Sequence, residues 1–322
     1  MDFALKHKKD FRPSLYGSAE EQAISKKEVL LTVMRLISGG LIWAGLAPFF
    51  YAAMSSAAKL AGAHASVWHI GVGRFGLGLL VTPVIVRALG LSLWGKQRFL
   101  LTVRGLCGSV AFLLLVASLQ RIPLSVALII FYLYPAFTAL LSPWVTGEPA
   151  SRIAWLFICC AFIGIILILW PSEASAALNP GHLLAAISSV LCALTLLLVR
   201  RLSKENNIYT LFFYLCLTGT VAGLVPLLLR ASPIVPHESA SWLGIAAVAV
   251  FSIGAQLSIN QALVCIPAPK VSVMMTAEVP LVAAFGVLYL GEPIGWRLIV
   301  GALFIFGSGI GLNLMPDRST SN

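Results

Sequence analysis

Ten apolar stretches, each long enough to cross about 30 Å of hydrocarbon at the helical rise of about 1.5 Å per residue, take up most of this chain. They run over 39–58, 66–86, 99–119, 123–144 and 153–170, and then over 183–202, 209–229, 242–263, 267–290 and 298–314. Hydrocarbon offers no water to a backbone N–H or C=O, so a spanning segment must pair these groups within a helix or a closed barrel. The stretches are apolar throughout and do not alternate as barrel strands do. With 59% apolar and 11% charged residues, the composition is also unlike that of a soluble core. The expected fold is an all-α integral membrane protein with ten transmembrane helices.

A signature occurs twice. Ile122-Pro123 followed by Gly147-Glu148-Pro149 returns 144 residues later as Ile266-Pro267 followed by Gly291-Glu292-Pro293, and each pair frames a span with an internal proline, Pro135 or Pro280. Each copy contains five spans, and an odd number of crossings makes the second copy enter the bilayer inverted. Inverted repeats are a means by which secondary transporters build alternating access. The expected organisation is a tail at 1–37, a first five-helix repeat at 38–170, a second at 180–314 and a tail at 315–322.

Lys and Arg concentrate on the cytoplasmic face of membrane proteins. With the amino terminus inside, that face collects sixteen of them: Lys6, Lys8, Lys9, Arg12, Lys26, Lys27, Arg35, Arg87, Lys96, Arg98, Arg152, Arg200, Arg201, Lys204, Lys270 and Arg318. The other face receives four, Lys59, Arg121, Arg230 and Arg297. Both termini are therefore expected in the cytoplasm, and the natural partner of the basic face is the lipid bilayer with its anionic headgroups. The same distribution accounts for the pI of about 9.6 without a nucleic-acid partner, which would need a basic patch on a soluble domain.

The first 37 residues are polar, mixed in charge and without the apolar core of a cleavable signal. Leu30, Leu31, Met34 and Ile37 recur there at helical spacing, as in an interfacial helix or a simple extension of the first span. Cys107, Cys159, Cys160, Cys192, Cys216 and Cys265 all fall in or beside spans, where thiols pack as small apolar groups. Their spacing matches no metal site, and no cofactor or metal is expected. Asp2, Asp10 and Asp317 are the only aspartates and lie in the tails. The chain thus lacks the aspartate pairs, zinc motif or phosphate loop of a membrane hydrolase, phosphotransferase or ATP-driven pump, and it is read as not an enzyme.

Charge inside the bilayer is costly and usually faces a cavity or a partner. Glu278, about eleven residues into the ninth stretch, is the one acidic residue in the deep membrane. It is a candidate to bind a cationic part of a substrate or to carry a coupling proton, with a protonated hydrogen bond to a neighbouring helix as the alternative. Arg74 sits deep in the second stretch among Gly71, Gly73, Gly76 and Gly78, which permit close helix contact. It is read as a binding or gating residue or as an internal anchor. Arg104 is near enough to the cytoplasmic end of the third stretch to snorkel, so a structural role competes with a binding one. Gln256 and Asn260, four apart on the eighth stretch, share a face, and with Gln261 they are candidates to line a cavity. Trp43, Tyr51, Tyr132, Tyr134, Ser188 and Ser189 are weaker candidates, and His69 reads as an interfacial histidine.

Prolines at Pro48, Pro83, Pro135, Pro226 and Pro280 are expected to kink their spans. Gly307-x-x-x-Gly311 permits close packing within the chain or across a homodimer.

These residues resemble the EamA-type members of the drug/metabolite transporter superfamily. The resemblance rests on the doubled Ile-Pro, internal Pro and Gly-Glu pattern and covers roughly 38–314. It implies an inner-membrane carrier in which the first four helices of each copy surround a central cavity and the fifth and tenth are peripheral. It also implies export of amino acids, related metabolites or toxic compounds, or, in some members, uptake of nucleoside-like or vitamin substrates of the S-adenosylmethionine or riboflavin type. The segment Arg104-Gly105 through Gly108, with Ile122-Pro123-Leu124, is similar to a subgroup containing both kinds. Two departures stand out: Lys270 replaces an apolar counterpart, Val126, and Glu278 has no acidic equivalent near Tyr134. The resulting expectation is a secondary carrier for a small-molecule substrate, read as an exporter with an uptake carrier as the alternative, and with a channel or a non-transporting scaffold as the reading from another class.

Overall fold

The computed structural model describes residues 19–145, 147, 179–229, 233, 239–266, 271, 274–291 and 295–314, with single and paired positions between 155 and 167. Two compact units are distinguished, residues 1–39 and 40–322. The described part of the first is helical. The second contains everything that follows. The expected fifth span lies largely outside the described residues, as do Glu148, Pro149, Pro267, Lys270, Glu292, Pro293 and both tail ends.

Among the described residues the structure is helix and turn, with no strand. We number the helices α1 (Ala19–Ala61), α2 (Val67–Ala88), α3 (Arg98–Leu119), α4 (Leu124–Phe131), α5 (Tyr134–Val145), α6 (Pro180–Leu202), α7 (Ile208–Leu228), α8 (Ser239–Cys265), α9 (Glu278–Leu290) and α10 (Trp296–Leu314). Seven segments are long and apolar enough to cross a membrane: Gly39–Ala61, Val67–Ala88, Arg98–Leu119, Leu124–Val145, Pro180–Leu202, Ile208–Leu228 and Ser241–Cys265. Large apolar side chains such as Leu80, Phe99 and Leu229 are more than 70% exposed on the outside of this bundle. That is an arrangement suited to lipid and costly in water.

Helix ends follow local chemistry. Ser66 caps α2 in a reciprocal box with His69, Asn179 caps α6 in the same way with His182, and Asn207 accepts from the Thr210 N–H at the start of α7. Gly291 stops α9 in the left-handed conformation, φ 63°, which suits a residue without Cβ.

Two spans are interrupted at matching places. α4 and α5 are halves of one membrane-length segment, broken at Tyr132 and Leu133. In the second copy a 3₁₀ turn, Met275–Ala277, precedes α9, and residues 132 and 276 are one repeat length apart. The prolines expected to kink these spans sit instead in the first turn after each break, Pro135 in α5 and Pro280 in α9. A proline ring clashes with the carbonyl four residues earlier and lacks an N–H, faults that vanish when the helix begins just before it. The sequence therefore restarts each helix rather than bending it.

The two copies pack on each other. α3 lies against α6 and α7, α2 against α7 and α8, α4 and α5 against α6, and α9 against α4. α1 meets α8, where a Cβ on Gly244 would lie 2.8 Å from the Ala61 side chain and one on Gly254 3.0 Å from Phe50. Shifted by one repeat, the α1–α8 pair becomes α6–α3, so this contact occurs twice with the copies exchanged. Apolar lipid gives helices no hydrophobic reason to associate, and close approach over small residues does much of that work. At Gly105 an added Cβ would be 2.5 Å from the Tyr214 carbonyl oxygen, and at Gly71 and Gly78 the space is taken by Leu113 and by Cys216 with Phe212. Gly76 faces open space.

Candidate functional site

Charged and polar side chains from six of these helices line one cavity with about 740 Å³ of empty space, counting its open mouth. α1 contributes Tyr51 and Ser55, α2 Arg74, α3 Arg104, α8 Gln256 and Asn260, and α9 Glu278. Tyr132 comes from the first break and Tyr134 from the start of α5. Phe112, Leu115, Leu196 and Val199 add apolar wall.

Glu278 is the first residue of α9 and is buried. There the unpaired N–H groups of the helix start favour negative charge. Ser55 donates to its Oε1 at 2.7 Å, and the Tyr132 hydroxyl donates to Oε2. The same hydroxyl also reaches the Met275 carbonyl at 2.7 Å, so the two broken spans touch through one side chain. A phenol has one proton to give, and here it faces two acceptors. With Glu278 ionised, a proton committed to the carboxylate is lost to Met275. With Glu278 protonated, the carboxyl can donate to Tyr132 while Tyr132 donates to Met275, and every member of the chain is satisfied.

On the other side of the cavity, Arg104 is fully buried and donates through Nη1 to the Leu211 carbonyl at 2.9 Å and through Nη2 to Asn260 Oδ1 at 3.5 Å. Gln256 Nε2 donates to the same Oδ1 at 3.1 Å, and the Tyr51 hydroxyl donates to Gln256 Oε1 at 3.3 Å. Arg74 stacks its guanidinium 3.8 Å from the Phe112 ring centroid and 5.2 Å from that of Phe75, an attractive arrangement for a cation.

Most of the residues singled out from sequence thus converge: Glu278, Arg74, Arg104, Gln256, Asn260 and Tyr134 all line the cavity. Arg104 does not snorkel, because the Leu211 carbonyl and Asn260 hold it inside the helix bundle. Trp43 is the exception. It is 41% exposed and absent from the lining, since it is eight residues before Tyr51 and its ring lies on the outside of the bundle. His69 is buried at the start of α2, its Nε2 2.7 Å from the Pro233 carbonyl. Ser188 donates to the Ala111 carbonyl within the helix packing. The six cysteines are free, and Cys192 joins the cavity wall. Ser55 gives no signal in the sequence, because a serine beside Ser56 in an apolar helix is marked only by its place one turn after Tyr51. Tyr132 gives only a weak signal in the sequence, because its partners are 143 and 146 residues away.

A membrane-embedded bundle of two similar halves around a polar cavity defines the class, and the comparisons give the family. The EamA-like transporter family matches residues 38–170 and again 179–314, and the chain belongs to that family, within the drug/metabolite transporters. Human solute carrier family 35 member G1 is 28% identical over 245 residues, 72% of this chain and 67% of that protein. The pseudopaline exporter CntI of Pseudomonas aeruginosa (strain UCBPP-PA14) is 25% identical over 281 residues, 87% of this chain and 98% of its own. A solved crystal structure superposes on 87% of this chain and 99% of its own with a TM-score of 0.64 at 18% identity, a likeness of fold. The protein is a multi-pass membrane transporter.

Proposed function

We propose that this protein is a secondary-active carrier of the cell inner membrane that exports a small organic metabolite by alternating access. Its two inverted five-helix repeats, 38–170 and 180–314, rock around a midplane site, giving ten spans with both termini cytoplasmic. The copy-exchanged pairing of α1–α8 and α6–α3 supports two halves that can trade roles, and breaks at equivalent points in two spans resemble the interrupted helices at transporter binding sites. Export is the direction named for the Pseudomonas relative.

One observation carries the mechanism: Glu278, buried at a helix restart, and the Met275 carbonyl one turn earlier in the same span share the proton of Tyr132, which comes from the other broken span. Loading Glu278 with a proton, or replacing its hydroxyl partners by a substrate cation, redirects that phenol and changes what joins the two halves. A local change at the site is thereby linked to the relative position of the repeats, as coupled transport requires. The binding set is Glu278, Arg74, Arg104, Gln256, Asn260 and Tyr134, with Tyr51, Ser55 and Tyr132 added by the geometry. Counterflow in proteoliposomes tests the reading: a carrier shows saturable uptake accelerated by substrate on the opposite side, and flux that rises linearly without acceleration would identify a pore instead.

A further inference from the structure

The cavity offers more hydrogen-bond donors than acceptors. Arginine carries five N–H donors and no acceptor. Arg104 uses two groups on the Leu211 carbonyl and Asn260 Oδ1, and the second acceptor is already shared with Gln256. Its Nε–H is buried and meets no acceptor among the described residues. Arg74 lies with its guanidinium carbon 3.8 Å from the Phe112 ring centroid, and the Tyr51 hydroxyl is the side chain that can accept from it, which leaves most of its five N–H donors for other acceptors.

Glu278 does not balance these cations. Its two oxygens are taken by Ser55 and Tyr132, and among the described residues it forms no ion pair with Arg74 or Arg104. Two guanidiniums against one carboxyl leave an excess of positive charge where charge needs a partner. The planar fork of an arginine fits a carboxylate through parallel N–H···O bonds, and the aromatic and aliphatic walls suit an organic body behind it.

We infer that the substrate of the carrier proposed above is a net-anionic carboxylate metabolite, with a carboxylate received between the Arg104 Nε–H and the N–H groups that Arg74 turns to the cavity. The assignment rests on the carrier reading and deepens it. It predicts a dicarboxylic acid or an acidic amino acid rather than a polyamine or a nucleoside. In an acidic amino acid, the ammonium group faces Glu278.

The test is counterflow of succinate, glutamate, uridine and putrescine in proteoliposomes containing the full chain, on wild type, Arg104→Gln, Arg104→Lys and Arg74→Gln. Succinate or glutamate exchanges, the other two do not, and each glutamine variant raises the half-saturating concentration about tenfold, the size of one lost charge-assisted bond. Arg104→Lys does not restore it, because a lysine lacks the fork. Should Arg104→Gln fail to fold for want of its tie to Leu211, Arg74→Gln carries the same comparison. Exchange of uridine or putrescine with both acids inert overturns the anion assignment and leaves the carrier reading standing. Acid exchange with unchanged half-saturation in both glutamine variants overturns the arginine site. No exchange of any compound by folded protein overturns both readings.

Discussion

Replacing Tyr132 by phenylalanine isolates the junction between the two broken spans. The change removes one oxygen and leaves the ring, so no cavity opens and the contacts with Phe131 and Tyr134, at centroid distances of 5.7 and 5.3 Å, survive. What disappears is the donor to Glu278 and to the Met275 carbonyl. Hydrogen bonds to charged groups contribute about 1.5–3 kcal/mol in soluble proteins, whereas side-chain bonds within membranes average about 0.6 and reach about 1.7 kcal/mol. Glu278 keeps Ser55, while Met275 loses a donor in a helix break. The higher membrane values are therefore appropriate, and the expected loss is about 1–2 kcal/mol, about a five- to thirtyfold change in an equilibrium. Reversible unfolding in mixed detergent micelles reads the stability, and counterflow on the same preparation reads transport. The argument predicts a loss in that range together with a slower exchange rate. A variant with wild-type stability and wild-type exchange would show that the phenol does not join the halves.

Other expectations follow from single contacts. Gly105→Ala puts a Cβ 2.5 Å from the Tyr214 carbonyl oxygen and is expected to destabilise by about 1–3 kcal/mol, seen in the same unfolding assay; a neutral effect would mean that α3 and α7 are less tightly apposed. Ser55→Ala removes one of two donors to Glu278 and should slow exchange while leaving the fold intact, as judged by size-exclusion profile and exchange rate together. Lys59 donates to the Leu119 and Ile122 carbonyls and Arg200 to those of Leu263 and Val264, and Leu119 and Leu263 are repeat equivalents. In the proposed topology these ties close opposite ends of the bundle, so Lys59→Met and Arg200→Met should shift cysteine-labelling accessibility to opposite sides; a shift in the same direction contradicts the inverted relation.

Seven of the spans and the repeat were legible because hydrocarbon imposes a length and an apolar content that no other fold requires, and because 144 residues separate the Ile-Pro and Gly-Glu-Pro elements from their copies. Intramembrane charge pointed to Glu278, Arg74 and Arg104, which line the cavity. The helix breaks were only half visible. Pro135 and Pro280 announce a disturbance, but whether a helix kinks at a proline or restarts before it depends on what neighbours do with the freed carbonyls, here Tyr132 reaching Met275. Arg104 shows a similar limit: distance along a helix allows snorkelling, while its direction around the helix is set by acceptors on α7 and α8. Trp43 lies outside the cavity lining because an aromatic residue near a polar face in sequence is not thereby on that face in space. Ser55 is polar only by one hydroxyl, and nothing short of its 223-residue separation from Glu278 being closed in space reveals it.

The most direct test of the account is the pH dependence of counterflow for Glu278→Gln against wild type, on protein shown to be folded and equally reconstituted. Glutamine preserves size, and its one amide oxygen can accept from Ser55 or from Tyr132 while its NH2 donates to the other hydroxyl, but it cannot take up or release a proton. The account predicts a slower exchange whose rate no longer varies with pH across the range in which the wild type responds. An unchanged rate with an unchanged pH profile would contradict it and remove Glu278 from the mechanism.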